Sequence, residues 1–298
     1  MRLCLNDSGL GVSRNLKPED AKYVYDIGFR VAGVGIGREV TDDDIKHVKD
    51  VFAQVGLAMG PMGVGMAAIH PDKEVEREYK RKLIRALEIG GKLGCTNIRI
   101  SIGSMDPDDV WIHHPLNHTQ KALDRLIENT KELARYAEDY RCSICPETTQ
   151  WTIVGSIERM KEYVDRVDSP YVQIAFDSVN HMTSERVYES GRFMRCAIAT
   201  LGDRIGELHV KDVKIDPNKQ LVSHIDETYL GTGLLDHEAI IRASTQLEPW
   251  KTFSLEHFGR DMWKPGYDYI QGIANRIGHR WSDPMCTREK WESGQCRG

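Results

Sequence analysis

Four residues in the second half of the chain have side chains that can bind a divalent metal ion: Glu147, Asp177, His209 and Glu256. They are separated by 30, 32 and 47 residues, and each separation is long enough for one strand and one helix. Three carboxylates and one imidazole suit a hard or borderline ion, in contrast to the thiolate-rich sites of structural zinc. The residue types therefore predict one ion bound mainly through oxygen, Mn²⁺ first, with Mg²⁺ and Co²⁺ as alternatives.

Eight short apolar or β-branched segments alternate with longer segments of helical period, and no Pro/Gly/Ser-rich linker divides them. The predicted strands are Arg2–Asn6, Arg30–Ile36, Leu57–Met62, Asn97–Gly103, Cys142–Glu147, Tyr171–Asp177, Gly206–Val213 and Thr252–His257. Eight βα units in one chain favour a (β/α)8 barrel, which we place at residues 1–280, followed by a tail at 281–298. Because such barrels bind their substrates at the carboxyl ends of the strands, the four residues are expected to converge there.

Helices are predicted between these strands. Asp42–Gln54 follows Thr41 as N-cap, Asp72–Leu93 and Thr119–Ala137 repeat apolar residues at helical spacing, and Pro18 marks another helix start. An open Rossmann sheet is disfavoured because no Gly-x-Gly-x-x-Gly follows the first strand.

Composition and charge limit the classes of function. With 40% hydrophobic residues, 29% charged residues and a net charge of −5, the chain resembles a globular protein without the basic stripe of a nucleic-acid binder. It has no signal-peptide start and no run of about 20 apolar residues, so we expect a cytoplasmic protein. Seven scattered cysteines do not resemble a disulfide framework, and most are expected to be reduced.

Further polar side chains follow the predicted strands and are candidates for substrate binding. These are Trp111, His114, Asn180, His181, Lys211 and Asp212. Lys211 is expected to share the inward face of His209, because side chains alternate along a strand. The Trp111–His114 segment could equally be a turn before a helix, and His181 could equally be a cap or a support for other residues.

The locations of three further regions are also predicted. His224–Glu227 precedes a Gly-Thr-Gly turn and is expected to reach the mouth of the barrel, whereas His237 lies in a helical segment and is expected at the surface. Trp281 and Trp291 of the tail are expected to pack on a partner subunit.

Several stretches match a known superfamily. They are Pro146-Glu-Thr, Ser169-Pro-Tyr-Val-Gln-Ile-Ala-Phe-Asp-Ser-Val-Asn180, Asp203-Arg-Ile-Gly-Glu-Leu-His-Val-Lys-Asp212, Leu230-Gly-Thr-Gly-Leu-Leu-Asp236 and Leu255-Glu256. Through them the chain resembles the xylose isomerase-like barrels, a superfamily of sugar and sugar-phosphate isomerases and epimerases. The resemblance implies that Glu147, Asp177, His209 and Glu256 bind the metal. It further implies that the two glutamates serve as base and acid on opposite faces of a carbon next to a carbonyl.

The implied activity is a metal-dependent isomerase or epimerase that acts on a small sugar or keto-sugar, in a dimer or tetramer. Ketose 3-epimerases of this superfamily have a His, an Arg and a second Glu at positions where this chain has Asn180, Ile215 and Ile153. A lyase or dehydratase on an oxidised sugar, for example one that cleaves 3-keto-glycosides, therefore remains an alternative. Two remoter alternatives are a three-zinc AP endonuclease, whose additional histidines are missing here, and a catalytically inactive binding barrel.

Overall fold

The computed structural model describes residues 1–6, 8–37, 39–219, 224–257 and 259–296. Eight parallel strands form a closed barrel: β1 (Arg2–Leu5), β2 (Val31–Gly35), β3 (Ala58–Ala67), β4 (Asn97–Ser101), β5 (Ser143–Glu147), β6 (Ile174–Asp177), β7 (Ile205–Val210) and β10 (Thr252–Leu255). Their order around the barrel is β1-β10-β7-β6-β5-β4-β3-β2, so the first and last strands are hydrogen-bonded to each other. The (β/α)8 barrel predicted from the sequence is confirmed.

Helices surround the barrel and begin mostly where the sequence supplies a cap. They are α1 (Pro18–Ile27), α2 (Asp42–Val55), α3 (Lys73–Leu93), α4 (Gln120–Asp139), α5 (Ile157–Val167), α6 (Ser190–Leu201), α7 (His237–Ser244), α8 (Trp263–Arg276) and α9 (Arg288–Glu292). Thr41 and Asp44 form a reciprocal capping box at α2, and Asp72 accepts two backbone N–H groups at the start of α3. In the described part of the chain, no helix is both long and apolar enough to cross a membrane.

The seventh strand differs from its prediction. Gly206–Val213 was expected to be one strand, but β7 ends at Val210, and the chain then forms an antiparallel hairpin of β8 (Asp212–Ile215) and β9 (Ile225–Thr228). Hydrophobic alternation continues through this point, so the pattern alone does not reveal the break.

Asp212 fixes the base of this hairpin. Its buried carboxylate accepts the backbone N–H groups of Gly231, Gly233 and Leu235 at 2.9–3.1 Å, and that of Val213 at 2.9 Å. These bonds hold the loop after β9 against the end of β7. The predicted contact of Asp212 with substrate gains no support, because its carboxylate is engaged by the backbone.

The tail covers the amino end of its own barrel. Pro284 O accepts a hydrogen bond from Arg2 at 3.0 Å, and the ring of Trp281 packs on Phe253 of β10 with centroids 5.0 Å apart. A disulfide joins Cys286 and Cys296 in the tail. Trp281 thus packs on its own barrel, and packing of the tail on a partner subunit stays a prediction. Five of the seven cysteines are free, as expected for most of them, and this pair is the exception.

His237 is also corrected. It is 1% exposed rather than at the surface, although it is the first residue of α7. Its Nε2 lies 2.9 Å from Lys211 O, and its ring meets Tyr269 edge-on at 5.5 Å. The histidine thus holds α7 to the end of β7.

Replacement of Asp212 by Ala should destabilise the protein. It leaves the buried N–H groups of Val213 and Leu235 without an acceptor, at a cost of about 1–3 kcal/mol for each, so we expect the free energy of unfolding to fall by about 3 kcal/mol. Chemical denaturation followed by circular dichroism measures this change. Asp226→Ala, an exposed acid of the same hairpin, is the control and should change it by less than about 0.5 kcal/mol. Equal stability of the two variants would contradict the anchoring role.

Candidate metal centre and substrate cavity

The four predicted ligands meet at the carboxyl end of the barrel. Glu147 ends β5, Asp177 ends β6, His209 lies in β7, and Glu256 directly follows β10. One ligand atom from each side chain lies within 4.8 Å of all the others. A single ion with ligand bonds of about 2.0–2.6 Å places its ligand atoms at most about 5 Å apart, so the four groups are close enough to share one ion.

Each carboxylate is oriented by the surrounding chain. Asp177 Oδ1 accepts the N–H groups of Val179 and Asn180 at 2.7 and 3.2 Å, which leaves Oδ2 turned to the centre. Glu256 Oε2 accepts from Asn6 Nδ2 at 2.9 Å and from Arg99 Nη1 at 2.6 Å, which leaves Oε1 turned to the centre.

The atoms at the centre lack well-oriented hydrogen bonds from the described residues. This holds for Asp177 Oδ2, Glu256 Oε1 and His209 Nδ1, although all three side chains are buried. Buried polar atoms without well-oriented hydrogen bonds are costly, and a bound cation would satisfy them together with the nearby ammonium group of Lys211. The donor set and its unfilled valences therefore fit a divalent ion bound by three carboxylates and one imidazole.

The electrostatics of the cluster favour positive charge at its centre. Burial disfavours the imidazolium, yet Glu256, Glu147 and Glu207 raise the pKa of His209 well above its ordinary value. Burial also disfavours ionised Glu256, yet His209 and Lys211 hold the pKa of Glu256 well below its ordinary value. For Asp177, burial prevails over the attraction of Lys211, and the pKa of this carboxyl is raised. A cation among these groups would replace repulsion by attraction.

Lys211 lies beside the centre, on the inward face predicted for it. The side chain is 1% exposed, and its Nζ is 2.7 Å from Asp177 Oδ2 and 3.0 Å from Glu256 Oε1. Burial opposes its charge, but Asp177 and Glu256 raise the pKa of Lys211 above its ordinary value. The ammonium group thus offsets part of the negative charge of the ligands.

A cavity of about 500 Å³ opens over the centre. Its lining residues are Gly63, Val64, Gly65, Arg99, Ile100, Ser101, Trp111, Glu147, Thr149, Trp151, Asn180 and His257. The volume lies within the usual range of small-molecule sites, about 300–1,000 Å³. Asn180 Nδ2 donates to Glu147 Oε1 at 2.9 Å, so one cavity residue also orients a ligand.

A larger groove of about 810 Å³ lies farther out on the rim, beside α3. Its cations are engaged with acids of the same helix, Arg81 and Lys82 with Glu78, and Arg85 with Glu88. Among the described residues, no cluster of metal-binding groups faces this groove, so the smaller cavity is the better candidate for the site.

The predicted substrate-binding residues divide into two groups. Trp111 and Asn180 line the cavity, and Lys211 lies at the ligands. His181 is instead buried below, 2.9 Å from Thr148 Oγ1, where burial lowers its pKa to about 4. His114 caps the short helix Pro115–His118 by accepting the N–H of Leu116. Substrate contact by His181 or His114 stays an unsupported prediction.

Arg99, Trp151 and His257 are among the cavity residues that the sequence analysis missed. Arg99 lies in the middle of the apolar strand β4, and an arginine among apolar strand residues was a usable signal. Trp151 follows Glu147 by four residues in the same loop, so its position was also readable. His257 follows Glu256 and has a backbone φ of +62°, which is uncommon for residues other than glycine. No sequence pattern predicts this conformation.

The hairpin also reaches the site, as expected for His224–Glu227. Glu227 Oε2 lies 3.1 Å from His257 Nδ1 and 3.7 Å from Lys211 Nζ. By contrast, Ile153, the counterpart of the second glutamate of ketose 3-epimerases, is buried in the apolar core. In the described part of the chain only one group of residues could hold a metal ion, so a three-zinc site gains no support.

Comparison with known proteins agrees with this architecture. The family model for xylose isomerase-like TIM barrels matches residues 21–276. Comparison with curated protein sequences yields no match. Among solved structures, a xylose isomerase domain protein from Planctomyces limnophilus is 16% identical with a TM-score of 0.70, covering 93% of this chain and 98% of its own.

Two further structures are similar. A xylose isomerase-like TIM barrel protein from Mycobacterium smegmatis, in complex with magnesium, is 18% identical with a TM-score of 0.70 and covers 92% of this chain and 97% of its own. D-psicose 3-epimerase from Clostridium cellulolyticum H10, solved with D-tagatose, is 15% identical with a TM-score of 0.69 and covers 94% and 100%. At such identities the structures establish the fold alone, whereas the family model covers most of the sequence. The chain belongs to the xylose isomerase-like TIM-barrel family.

Proposed function

We propose that the protein is a divalent-metal-dependent isomerase or epimerase that moves a proton on the carbon next to the carbonyl of a sugar or keto-sugar. The observation that carries the proposal is the buried cluster of Glu147, Asp177, His209 and Glu256 under an open cavity. We further propose Mn²⁺ as its ion, because an oxygen-rich set with one imidazole suits a borderline ion. A homo-oligomer is expected from the resemblance to the family, and light scattering would measure its size.

The two glutamates are proposed to transfer the proton. When bound, the ion supplies Lewis acidity that polarises the carbonyl oxygen of the substrate. Glu147 lines the cavity, whereas Glu256 is 1% exposed and held by Asn6 and Arg99. We therefore assign the first proton abstraction to Glu147, whose carboxylate faces the space where the substrate binds. Glu256 is proposed to deliver a proton to the opposite face after it has taken one up from solvent, because its ionised form has no proton to donate.

Two tryptophans are proposed to hold the sugar. Trp111 and Trp151 both line the cavity and remain 37% and 43% exposed. Trp151 Nε1 donates to Trp111 O at 2.9 Å, and Asn117 Nδ2 donates to Trp151 O at 3.1 Å. The first bond ties the ring of Trp151 to the backbone of Trp111, and the second holds the backbone of Trp151, so the indole rings can offer a preformed apolar surface to a sugar ring.

A lyase or dehydratase on an oxidised sugar is the second candidate. It is favoured because Ile153, a buried apolar residue, stands where ketose 3-epimerases have a carboxylate, while the proposed proton-abstracting cluster is complete. Incubation with 3-keto-glycosides distinguishes the two: release of the aglycone indicates elimination, and an inverted stereocentre without release indicates epimerisation.

Metal dependence is the first test. The purified protein should contain about one equivalent of divalent metal by elemental analysis, and Mn²⁺ at 100 times its Kd should stabilise the metal-free protein by about 2.7 kcal/mol. Exchange of a substrate proton with D₂O, followed by NMR on ketoses and 3-keto-glycosides, should be lost with EDTA and restored by Mn²⁺. Full exchange in the metal-free protein would refute the proposal. Metal binding without exchange on any substrate would instead indicate a binding barrel.

The proton-transfer role of Glu147 can be tested separately from its role in metal binding. Glu147→Gln should slow proton exchange by about 10²–10⁴-fold at full metal occupancy, because general base catalysis contributes that much. Asp177→Asn is the matched control: it also alters a ligand, but at saturating Mn²⁺ its exchange should stay within about tenfold of the original protein. Equal losses in both variants at equal occupancy would show that Glu147 acts only as a ligand.

Trp151→Ala should raise KM about tenfold, which corresponds to about 1.4 kcal/mol of lost binding. Trp151→Phe, which keeps an aromatic surface, should change KM by no more than about threefold. Trp291→Ala, in the tail at the opposite end of the barrel, is the control and should leave KM unchanged. If Trp151→Ala leaves KM unchanged on every active substrate, the sugar does not bind against this ring.

A further inference from the structure

Glu207 lies directly beneath the candidate metal centre. It precedes His209 by two residues in β7, so both side chains point into the barrel. Its side chain is completely buried, and its Oε1 is 3.4 Å from His209 Nε2. Ser254 of β10 donates its Oγ–H to the same oxygen at 2.7 Å. One carboxylate oxygen therefore faces the ring nitrogen that points away from the other ligands.

The carboxylate of Glu207 lies in the buried interior of the barrel. The neighbouring interior includes Cys4, Cys145 and Ser254, which are all fully buried. A buried carboxylate is unfavourable unless it is paired and hydrogen-bonded. Ser254 supplies one hydrogen bond to Oε1, and Oε2 has no hydrogen-bond partner among the described residues. The nearby ring of His209 is the group that can donate a second hydrogen bond to the carboxylate.

The two ring nitrogens of His209 have different surroundings. Nδ1 lies 3.0 Å from Glu256 Oε1, 3.6 Å from Glu147 Oε1 and 3.9 Å from Asp177 Oδ2, so it faces the centre. Nε2 faces Glu207. A neutral imidazole has one N–H and one lone pair, and a hydrogen-bond acceptor on one side decides which nitrogen carries the proton.

We propose that Glu207 is a positioning residue: it accepts the Nε2–H of His209 and so presents the Nδ1 lone pair to the metal ion. Ser254 orients the carboxylate for this purpose. The inference rests on the metal-binding part of the proposed function and not on the reaction. In general, a carboxylate behind a ligating histidine fixes its tautomer and raises its basicity, and its loss weakens metal binding about 10–100-fold.

The test measures metal binding rather than turnover. Isothermal titration of the metal-free protein with Mn²⁺ should give a Kd about 10–100-fold weaker for Glu207→Gln, and a smaller loss for Ser254→Ala. NMR of the ¹⁵N-histidine-labelled, Mg²⁺-loaded protein should show the His209 proton on Nε2. Tyr163→Phe is the matched control: it removes a buried hydrogen bond to Thr130 outside the barrel, and should leave the Kd unchanged.

The outcomes are distinct. A Kd for Glu207→Gln within twofold of the original protein, or a His209 proton on Nδ1, would overturn the proposal. If Glu207→Gln does not fold, the Kd of Ser254→Ala and the spectrum of the unaltered protein decide the question. Because no substrate is used, an enzyme inactive on every sugar tested can still support the role of Glu207, so the two proposals can fail separately.

Discussion

The site depends on the enforced proximity of three buried carboxylates. Glu147, Asp177 and Glu256 are brought together by the closed barrel, and in a medium of low polarisability their mutual repulsion must be balanced. Arg99 and Lys211 supply two positive charges at the edge of the cluster. Backbone N–H groups bind one oxygen of Asp177, and the amide of Asn6 binds one oxygen of Glu256. The other oxygen of each carboxylate therefore points to the same centre. The fold therefore makes a place where a cation is favourable.

The barrel and the ligands were predictable because they follow from periodic rules. Strand length, helical spacing and the rule that active sites lie at carboxyl strand ends sufficed to place Glu147 and Asp177 on neighbouring strands. Alternation along β7 also placed Lys211 on the inward face of His209. These inferences use only which face of an element a side chain occupies, and a regular backbone determines that face.

The sequence-based predictions failed where residues distant in the sequence determine the local structure. Hydrophobic alternation carried the predicted seventh strand past Val210. The backbone N–H groups that donate to Asp212 come from a loop about 20 residues later, which no local pattern encodes. Likewise, His237 was assigned to the surface because helical spacing does not say which histidine meets a backbone carbonyl. The backbone turn at His257 is imposed by tertiary structure. Loops and strand exits were thus less predictable than the strands they connect.

The pairing of the first barrel strand with the last has a consequence for biosynthesis. Asn6 and its acceptor Glu256 are 250 residues apart in sequence, and β1 is hydrogen-bonded to β10 along its full length. Because chains are synthesised from the amino terminus, the ring of strands stays open on the ribosome until the last strand emerges. Binding of an ion by all four residues of the proposed centre would then follow synthesis, because Glu147, Asp177 and His209 lack Glu256 until the barrel closes.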